Sequence, residues 1–138
     1  MPLLVPRPKV FITYASVDAW VAGKICEEIN QTGVSTFLAK RNIEAGDDFE
    51  SRIDCEAEEC SEQVVVLSRT AIKSSYVWIE VGLFRGQRKR TVYLLNGLSA
   101  KKVSIAKKIP VRAKALHFLD LNDIGTYLAE LRSRAGGT

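Results

Sequence analysis

The feature that most constrains the fold is an alternation of short apolar runs with amphipathic segments along the 138-residue chain. Apolar runs rich in β-branched and aromatic residues predict strands at 9–13, 34–38, 63–68, 91–95 and 115–119. Between them, apolar residues that recur every three or four positions predict helices near 18–31, 49–60, 75–86 and 124–131. Regular alternation of strand and helix predicts a parallel sheet with helices on both faces.

Within the run from Gln63 to Ser68, the four central residues are continuously apolar rather than alternating, which is typical of a parallel strand covered on both faces. We therefore place the third strand at the centre of the sheet. Right-handed crossovers then favour the flavodoxin-like order 2-1-3-4-5. In such sheets ligands bind beyond the carboxyl ends of the strands, where the winding reverses. The loops at 14–18, 39–46 and 69–75 are the predicted site region.

Length and composition predict one domain of ordinary globular character, with 46% hydrophobic and 26% charged residues. We expect a flexible arm over residues 1–8, a folded domain over 9–134 and a flexible tail over 135–138. The arm carries three prolines and no basic lead, so a signal peptide is not expected. Apolar stretches are too short to span a bilayer, so we expect no membrane contact and a cytoplasmic location.

The cysteines and the histidine carry no recognisable catalytic or metal pattern. Cys26, Cys55 and Cys60 lack the close pairing of metal sites, and we interpret them as reduced core thiols. His117, the single histidine of the chain, lies in the apolar run 115–119, and we interpret it as a packed strand residue. That interpretation leaves no histidine for a Ser/His/Asp or a Cys/His arrangement. No metal and no cofactor are predicted.

Positive charge is concentrated in residues 85–114, which hold ten of the twenty Lys and Arg and no Asp or Glu. Such a stretch can face phosphates, nucleic acid or an acidic protein surface. The aromatic residues that a nucleic-acid platform interleaves with its charges are missing, so no specific nucleic-acid binding is expected.

Two common occupants of this fold do not fit. A phosphoacceptor receiver domain needs an Asp at the end of the third strand, where this chain has Leu67 and Ser68. A flavodoxin needs hydroxyl and glycine residues after the first strand to hold a phosphate, and residues 14–18 contain no glycine.

Three segments stand out as motifs. Residues 10–16 with Asp18 form an apolar strand that runs into Thr-Tyr and a polar turn, residues 41–49 follow the second strand, and residues 75–80 begin a helix. Together they resemble the TIR (Toll/interleukin-1 receptor) family, in its bacterial branch. They are similar, in that order, to the first box of the family, to its loop after the second strand and to the helical segment with the catalytic glutamate of NAD-cleaving members. Tyr76 stands where those members usually have Trp. The resemblance covers about residues 9–132.

This resemblance implies an NAD⁺ glycohydrolase in which Glu80 is the catalytic carboxylate. It further implies that Arg41 binds a phosphate of the substrate. Tyr76 or Trp78 would pack against the ribose and nicotinamide, and Phe11 or Phe37 would support that aromatic residue from behind. The remaining implied substrate-binding residues are Tyr14, Ala15, Ser16, Asn42 and Gly46.

Glu80 also stands out without the family. On a helix that starts near Ser75, Val77, Val81 and Phe84 share one face, whereas Tyr76 and Glu80 lie on the adjacent stripe. A carboxylate at the border of a buried face is costly unless it has a partner or a task.

The resemblance implies NAD⁺ as substrate, self-association with other TIR domains, and a role in bacterial antiphage or innate-immune-like signalling. The product stays open: water would give ADP-ribose, and attack from within the substrate would give a cyclic isomer. One alternative is a non-catalytic TIR adaptor, and a second is a nucleoside deoxyribosyltransferase-like enzyme, which shares the alternating fold and a glutamate near a ribose.

Overall fold

The computed structural model describes residues 8–38, 49–99 and 118–136. Within them, five strands form one parallel sheet in the order β2-β1-β3-β4-β5, which confirms the predicted flavodoxin-like order. The strands are β1 (Lys9–Thr13), β2 (Ser35–Leu38), β3 (Glu62–Leu67), β4 (Arg90–Leu95) and β5 (Phe118–Asp120).

Helices connect the strands, and two short 3₁₀ turns, Ser16–Asp18 and Leu121–Asp123, precede the first and last of them. The helices are α1 (Ala19–Gln31), α2 (Phe49–Glu59), α3 (Arg69–Ile72), α4 (Ser75–Gly86) and α5 (Ile124–Ala135). Over the described ranges, no helix combines the length and the apolar character that crossing a membrane requires.

Strand β3 is buried along its whole length and pairs with β1 and β4, which confirms that it is central. Because side chains alternate along a strand, its residues serve two cores. Val64 and Val66 pack into one cluster, and Val65 and Leu67 pack into the other.

Helices cover both faces of the sheet, as predicted. On one face α1 buries Ile25 and Ile29, and α5, which contacts α1, buries Leu131. On the other face α4 packs on β3 and β4 through Val77 and Val81, and α2 packs beside α4. The site discussed below lies on this second face.

One predicted strand is described only in part, and one predicted loop contains a helix. Strand β5 covers Phe118–Asp120, and residues 115–117, including His117, lie outside the described residues. The segment 69–75, predicted as a loop, contains the four-residue helix α3. Its start is stabilised by the Ser68 hydroxyl, which accepts a hydrogen bond from the Ala71 amide at 3.1 Å. A single helical turn is too short to show the periodicity on which the prediction depends.

The cysteines are free, but they do not share one environment. Cys60 is buried and Cys26 is half-buried, whereas Cys55 is exposed, so the prediction of three core thiols is wrong for Cys55. The periodicity of α2 explains this, because Ile53 and Ala57 face the core and leave Cys55 outside. Burial raises the pKa of the Cys60 thiol to about 12, which makes that thiol unreactive at neutral pH.

A buried carboxylate at the start of β3 holds α5 against the sheet. Glu62 is 2% exposed and accepts hydrogen bonds from the Tyr127 hydroxyl at 2.5 Å and from Arg134 Nη1 at 2.5 Å. Burial, with the nearby carboxylate as a second cause, raises the pKa of Tyr127. The tyrosine therefore stays protonated and donates to Glu62.

The turn from α4 into β4 begins the basic stretch and is tightly tied to the rest of the domain. Lys89 Nζ donates to the carbonyl oxygens of Ala57 at 2.7 Å and Glu58 at 2.8 Å, at the carboxyl end of α2. Arg90 pairs with Glu130 of α5 at 2.6 Å. These two basic side chains therefore serve the fold.

Candidate functional site

A cleft opens between α2 and α4 and has a volume of about 210 Å³. Two elements supply its described walls, and most of the side chains are apolar. The lining residues are Ile53, Asp54, Tyr76, Ile79, Glu80 and Leu83.

Helix α4 sets the position of Glu80. The helix starts where the Ser74 hydroxyl accepts a hydrogen bond from the Val77 amide, and Val77, Val81 and Phe84 then bury its inner face. Glu80 lies on the stripe beside that face, one turn after Tyr76. It is 1% exposed, yet it lines the cleft, so its carboxylate is nearly withdrawn from bulk water.

Helix α2 supplies the opposite wall. Ile53 is buried and anchors the helix on the core, and the next residue, Asp54, is exposed and lines the cleft. Successive residues of a helix point about 100° apart, so one anchors and the other reaches the opening. This cleft wall exists because α2 and α4 pack side by side on the same face of the sheet.

Among the described lining residues of the cleft, Asp54 and Glu80 are acidic and none is basic. Apolar walls keep the local dielectric low, which strengthens the interaction of a carboxylate with a positive centre. Chemically, the arrangement suits a cation or a transition state that develops positive charge.

The rim of the cleft is formed by two partly exposed apolar side chains. Tyr76 is 36% exposed and Ile79 is 61% exposed. A tyrosine ring and an aliphatic side chain at an opening provide a surface on which a flat ring can stack.

Of the predicted site residues, Tyr76 and Glu80 come together in the cleft. Phe11 does not line it and is fully buried, with its ring centroid 5.1 Å from that of Phe37 and 5.1 Å from that of Phe84. Its role is to join β1, β2 and α4 within the core. Phe37 is half-buried in the same cluster and is likewise absent from the described lining.

Trp78, predicted as an alternative wall, lies elsewhere. Its indole Nε1 donates to the carbonyl oxygen of Ile72 at 2.8 Å, and its ring packs on the cluster that contains Val65 and Leu67. Two residues along a helix correspond to a rotation of about 200°, so Trp78 turns away from the stripe of Tyr76 and Glu80. In the structure it ties α4 to α3.

The predicted loop after β1 contributes little exposed side-chain surface. Tyr14 is 6% exposed and Ala15 is 5% exposed, whereas Ser16 is exposed. Below them the Ser68 hydroxyl donates to Asp18 at 2.5 Å, which joins the carboxyl ends of β1 and β3. None of these residues is among the described lining of the cleft.

Four lining residues of the cleft were not predicted from the sequence as site residues: Ile53, Asp54, Ile79 and Leu83. A signal for Leu83 was present, because it is three residues after Glu80 on the same helical stripe. Asp54 had no comparable signal, since its position in the cleft depends on how α2 packs beside α4. The predicted residues Arg41, Asn42 and Gly46 lie outside the described residues.

Comparisons with known proteins give a consistent picture. A protein-family model described as TIR domain matches residues 10–132 of the chain. A search of curated protein sequences gives no significant match.

Solved structures share the fold at low sequence identity. The TIR domain of the Toll-related receptor TRR-2 from Hydra magnipapillata has a TM-score of 0.65 and 20% identity, with 88% of this chain and 91% of that chain covered. The TIR domains of the activated Roq1 resistosome have a TM-score of 0.60 and 16% identity, with 93% and 81% covered. The CMP N-glycosidase BcmB from Clostridium botulinum has a TM-score of 0.57 and 16% identity, with 89% and 97% covered.

Proposed function

The chain belongs to the TIR domain family, and from that premise we propose that it cleaves NAD⁺ between nicotinamide and ribose, with Glu80 as the catalytic carboxylate. One observation carries the proposal: Glu80 is 1% exposed and nevertheless lines a mostly apolar cleft. A carboxylate that is almost fully enclosed by the protein and still lines an opening is placed to act on a ligand there, which is expected at a functional position.

Cleavage of the bond between nicotinamide and ribose requires mainly a well-placed anion from the protein. The C1′–N bond breaks, its electron pair goes to the nicotinamide nitrogen, and the ring leaves as a neutral molecule without needing a general acid. Positive charge develops on the ribose as an oxocarbenium-like centre, and the Glu80 carboxylate stabilises it. Attack of water on C1′, with loss of one proton, gives ADP-ribose; attack from within the substrate gives a cyclic isomer.

The size of the cleft favours binding of one end of the dinucleotide. A site that encloses a drug-sized ligand has about 300–1,000 Å³, whereas the cleft has about 210 Å³. The nicotinamide and its ribose occupy the cleft in our proposal, with the ring against Tyr76. The phosphates and the adenosine extend over the surface outside it.

The comparisons support this assignment in two ways. One structural neighbour is a CMP N-glycosidase, so the same fold is compatible with breaking an N-glycosidic bond. Another is the TIR portion of a resistosome, an assembly. We propose that this chain likewise self-associates with other TIR domains and acts in bacterial antiphage or innate-immune-like signalling.

The test is product analysis with the purified chain and its Glu80→Gln variant. We expect wild type to release nicotinamide from NAD⁺ and the variant to lose activity by at least about a hundredfold, as when one strong transition-state contact is removed. Glutamine keeps the shape of the buried side chain, so circular dichroism and the melting temperature should show an intact fold. Glu80→Ala is a weaker test, because it leaves a hole at a position that is 1% exposed.

The same experiment separates the two alternatives. Supplying NAD⁺, CMP and deoxynucleosides in parallel identifies the substrate class from the products. Base exchange between deoxynucleosides would indicate a deoxyribosyltransferase-like enzyme. A chain that self-associates and cleaves none of them would be a non-catalytic TIR adaptor. Wild-type turnover in Glu80→Gln would exclude Glu80 as the catalytic group.

A further inference from the structure

The second carboxylate of the cleft, Asp54, was not predicted from the sequence and has no part in the bond-breaking step. We infer that Asp54 is a specificity-determining residue that recognises the positive charge of the oxidised nicotinamide ring and so selects NAD⁺ over NADH. The inference deepens the proposed function and rests on it.

The position of Asp54 is the first support. It lines the same cleft as Glu80 but comes from α2, so the two carboxylates approach a bound ring from different helices. Asp54 is exposed, and Glu80 is almost completely buried. An exposed carboxylate at the opening is available to a ligand as it enters, whereas the buried one is placed for the reacting carbon.

The surroundings of Asp54 are the second support. Ile53, Ile79 and Leu83 give the cleft apolar walls, and no described lining residue is basic. Tyr76 adds an aromatic ring at the rim, and the face of an aromatic ring attracts a cation. A pyridinium ring is flat and positively charged, so it matches a cleft that combines an aromatic wall with carboxylates.

The oxidised and reduced forms of the dinucleotide provide a comparison that isolates the charge of the nicotinamide ring. NAD⁺ and NADH share the adenosine, both riboses and both phosphates, and they differ by one hydride on the nicotinamide ring. The hydride removes the positive charge of the ring. Contacts of the protein with the adenosine, riboses and phosphates therefore contribute equally to both affinities. The ratio of the affinities for NAD⁺ and NADH then reports how the protein responds to the charge of the ring.

The experiment measures binding by the full chain without turnover. The probes are a carbocyclic NAD⁺ analogue, which cannot form the oxocarbenium centre, and its reduced dihydro form. Dissociation constants are determined for wild type, Asp54→Asn and Glu28→Gln. Glu28 is exposed on α1, so its variant makes the same change in net charge away from the cleft. Asparagine has the shape of aspartate, and circular dichroism checks the fold.

We expect Asp54→Asn to weaken binding of the oxidised analogue by roughly two- to fivefold, the size of an exposed charge interaction. Binding of the reduced form should be unchanged, and Glu28→Gln should bind both forms like wild type. Equal effects of Asp54→Asn on both forms, or no effect on either, would overturn the inference. If wild type neither binds the oxidised analogue nor cleaves NAD⁺, the proposed function fails and this inference falls with it.

Discussion

Two aromatic side chains on α4, Tyr76 and Trp78, lie in different surroundings. Tyr76 lines the cleft, whereas the Trp78 indole donates to the Ile72 carbonyl and packs away from it. The sequence alone offers both as substrate walls, because each is an aromatic within one turn of Glu80. The hydrogen bond of the indole decides between them, since a buried N–H that has a partner is costly to rearrange.

Substitution of each aromatic residue tests this separation. We expect Tyr76→Ala to raise the KM for NAD⁺ roughly two- to tenfold, the loss of one stacking wall, with little change in stability. Trp78→Phe should lower the free energy of unfolding by about 1 kcal/mol through the lost hydrogen bond and leave KM unchanged. Steady-state kinetics and urea unfolding of both variants provide the measurement. A higher KM in Trp78→Phe and an unchanged KM in Tyr76→Ala would indicate that Trp78, and not Tyr76, contacts the substrate.

At the level of elements, α5 is attached to the sheet by a polar contact inside an apolar layer. Glu62 at the start of β3 accepts from Tyr127 and Arg134, although it is 2% exposed. A buried carboxylate without such donors would be strongly unfavourable. The contact therefore specifies which part of α5 lies over the start of β3.

Glu62→Gln should reduce the free energy of unfolding by about 1.5–3 kcal/mol, because charge-assisted hydrogen bonds to a buried group are lost. Glu130→Gln is the matched control, since Glu130 forms an ion pair with Arg90 at a site that is about half exposed. We expect that variant to lose less than about 1 kcal/mol. Chemical unfolding followed by circular dichroism measures both. Equal decreases in the free energy of unfolding for the two variants would show that the burial of Glu62 does not strengthen its contacts.

For the whole molecule, the basic stretch, residues 85–114, is a candidate for contact with an acidic surface on a neighbouring copy, and α2 offers Glu56, Glu58 and Glu59 for that contact. The structure changes how this can be tested. Lys89 donates to a carbonyl oxygen of α2, and Arg90 pairs with Glu130 of α5, so reversing the charges of these two residues would disturb the monomer. Glu56 accepts a hydrogen bond from Lys9 at 3.1 Å and is therefore already engaged within the monomer. Arg88 is exposed and is better suited to substitution.

Arg88 has a φ of 57°, a left-handed conformation that asparagine adopts more readily than arginine. Arg88→Asn should therefore remove one charge while leaving the monomer as stable as wild type. If the basic stretch contributes to self-association, sedimentation velocity at low salt should show weaker association, and added salt should reduce the difference. Unchanged association at all salt concentrations would exclude Arg88 from the contact.

The sequence by itself determined the order of the sheet, the central position of β3 and the two faces of α4. The burial of β3 and the two faces of α4 follow from local pattern, because strand and helix periods assign each side chain to a face within its own element. The order of the sheet follows from the regular alternation of strand and helix with right-handed crossovers. Gly33 is a further case: it follows α1 with a φ of 92°, a left-handed conformation for which glycine is suited after a helix end.

Tertiary packing alone decided which side chains meet. Phe11 is held in the core by Phe37 and Phe84, and Asp54 is brought to the cleft of Glu80. Periodicity assigns a residue to a face, but the distance between two faces depends on how neighbouring helices pack on the sheet. That packing arises from contacts between residues far apart in the chain, which no local pattern encodes.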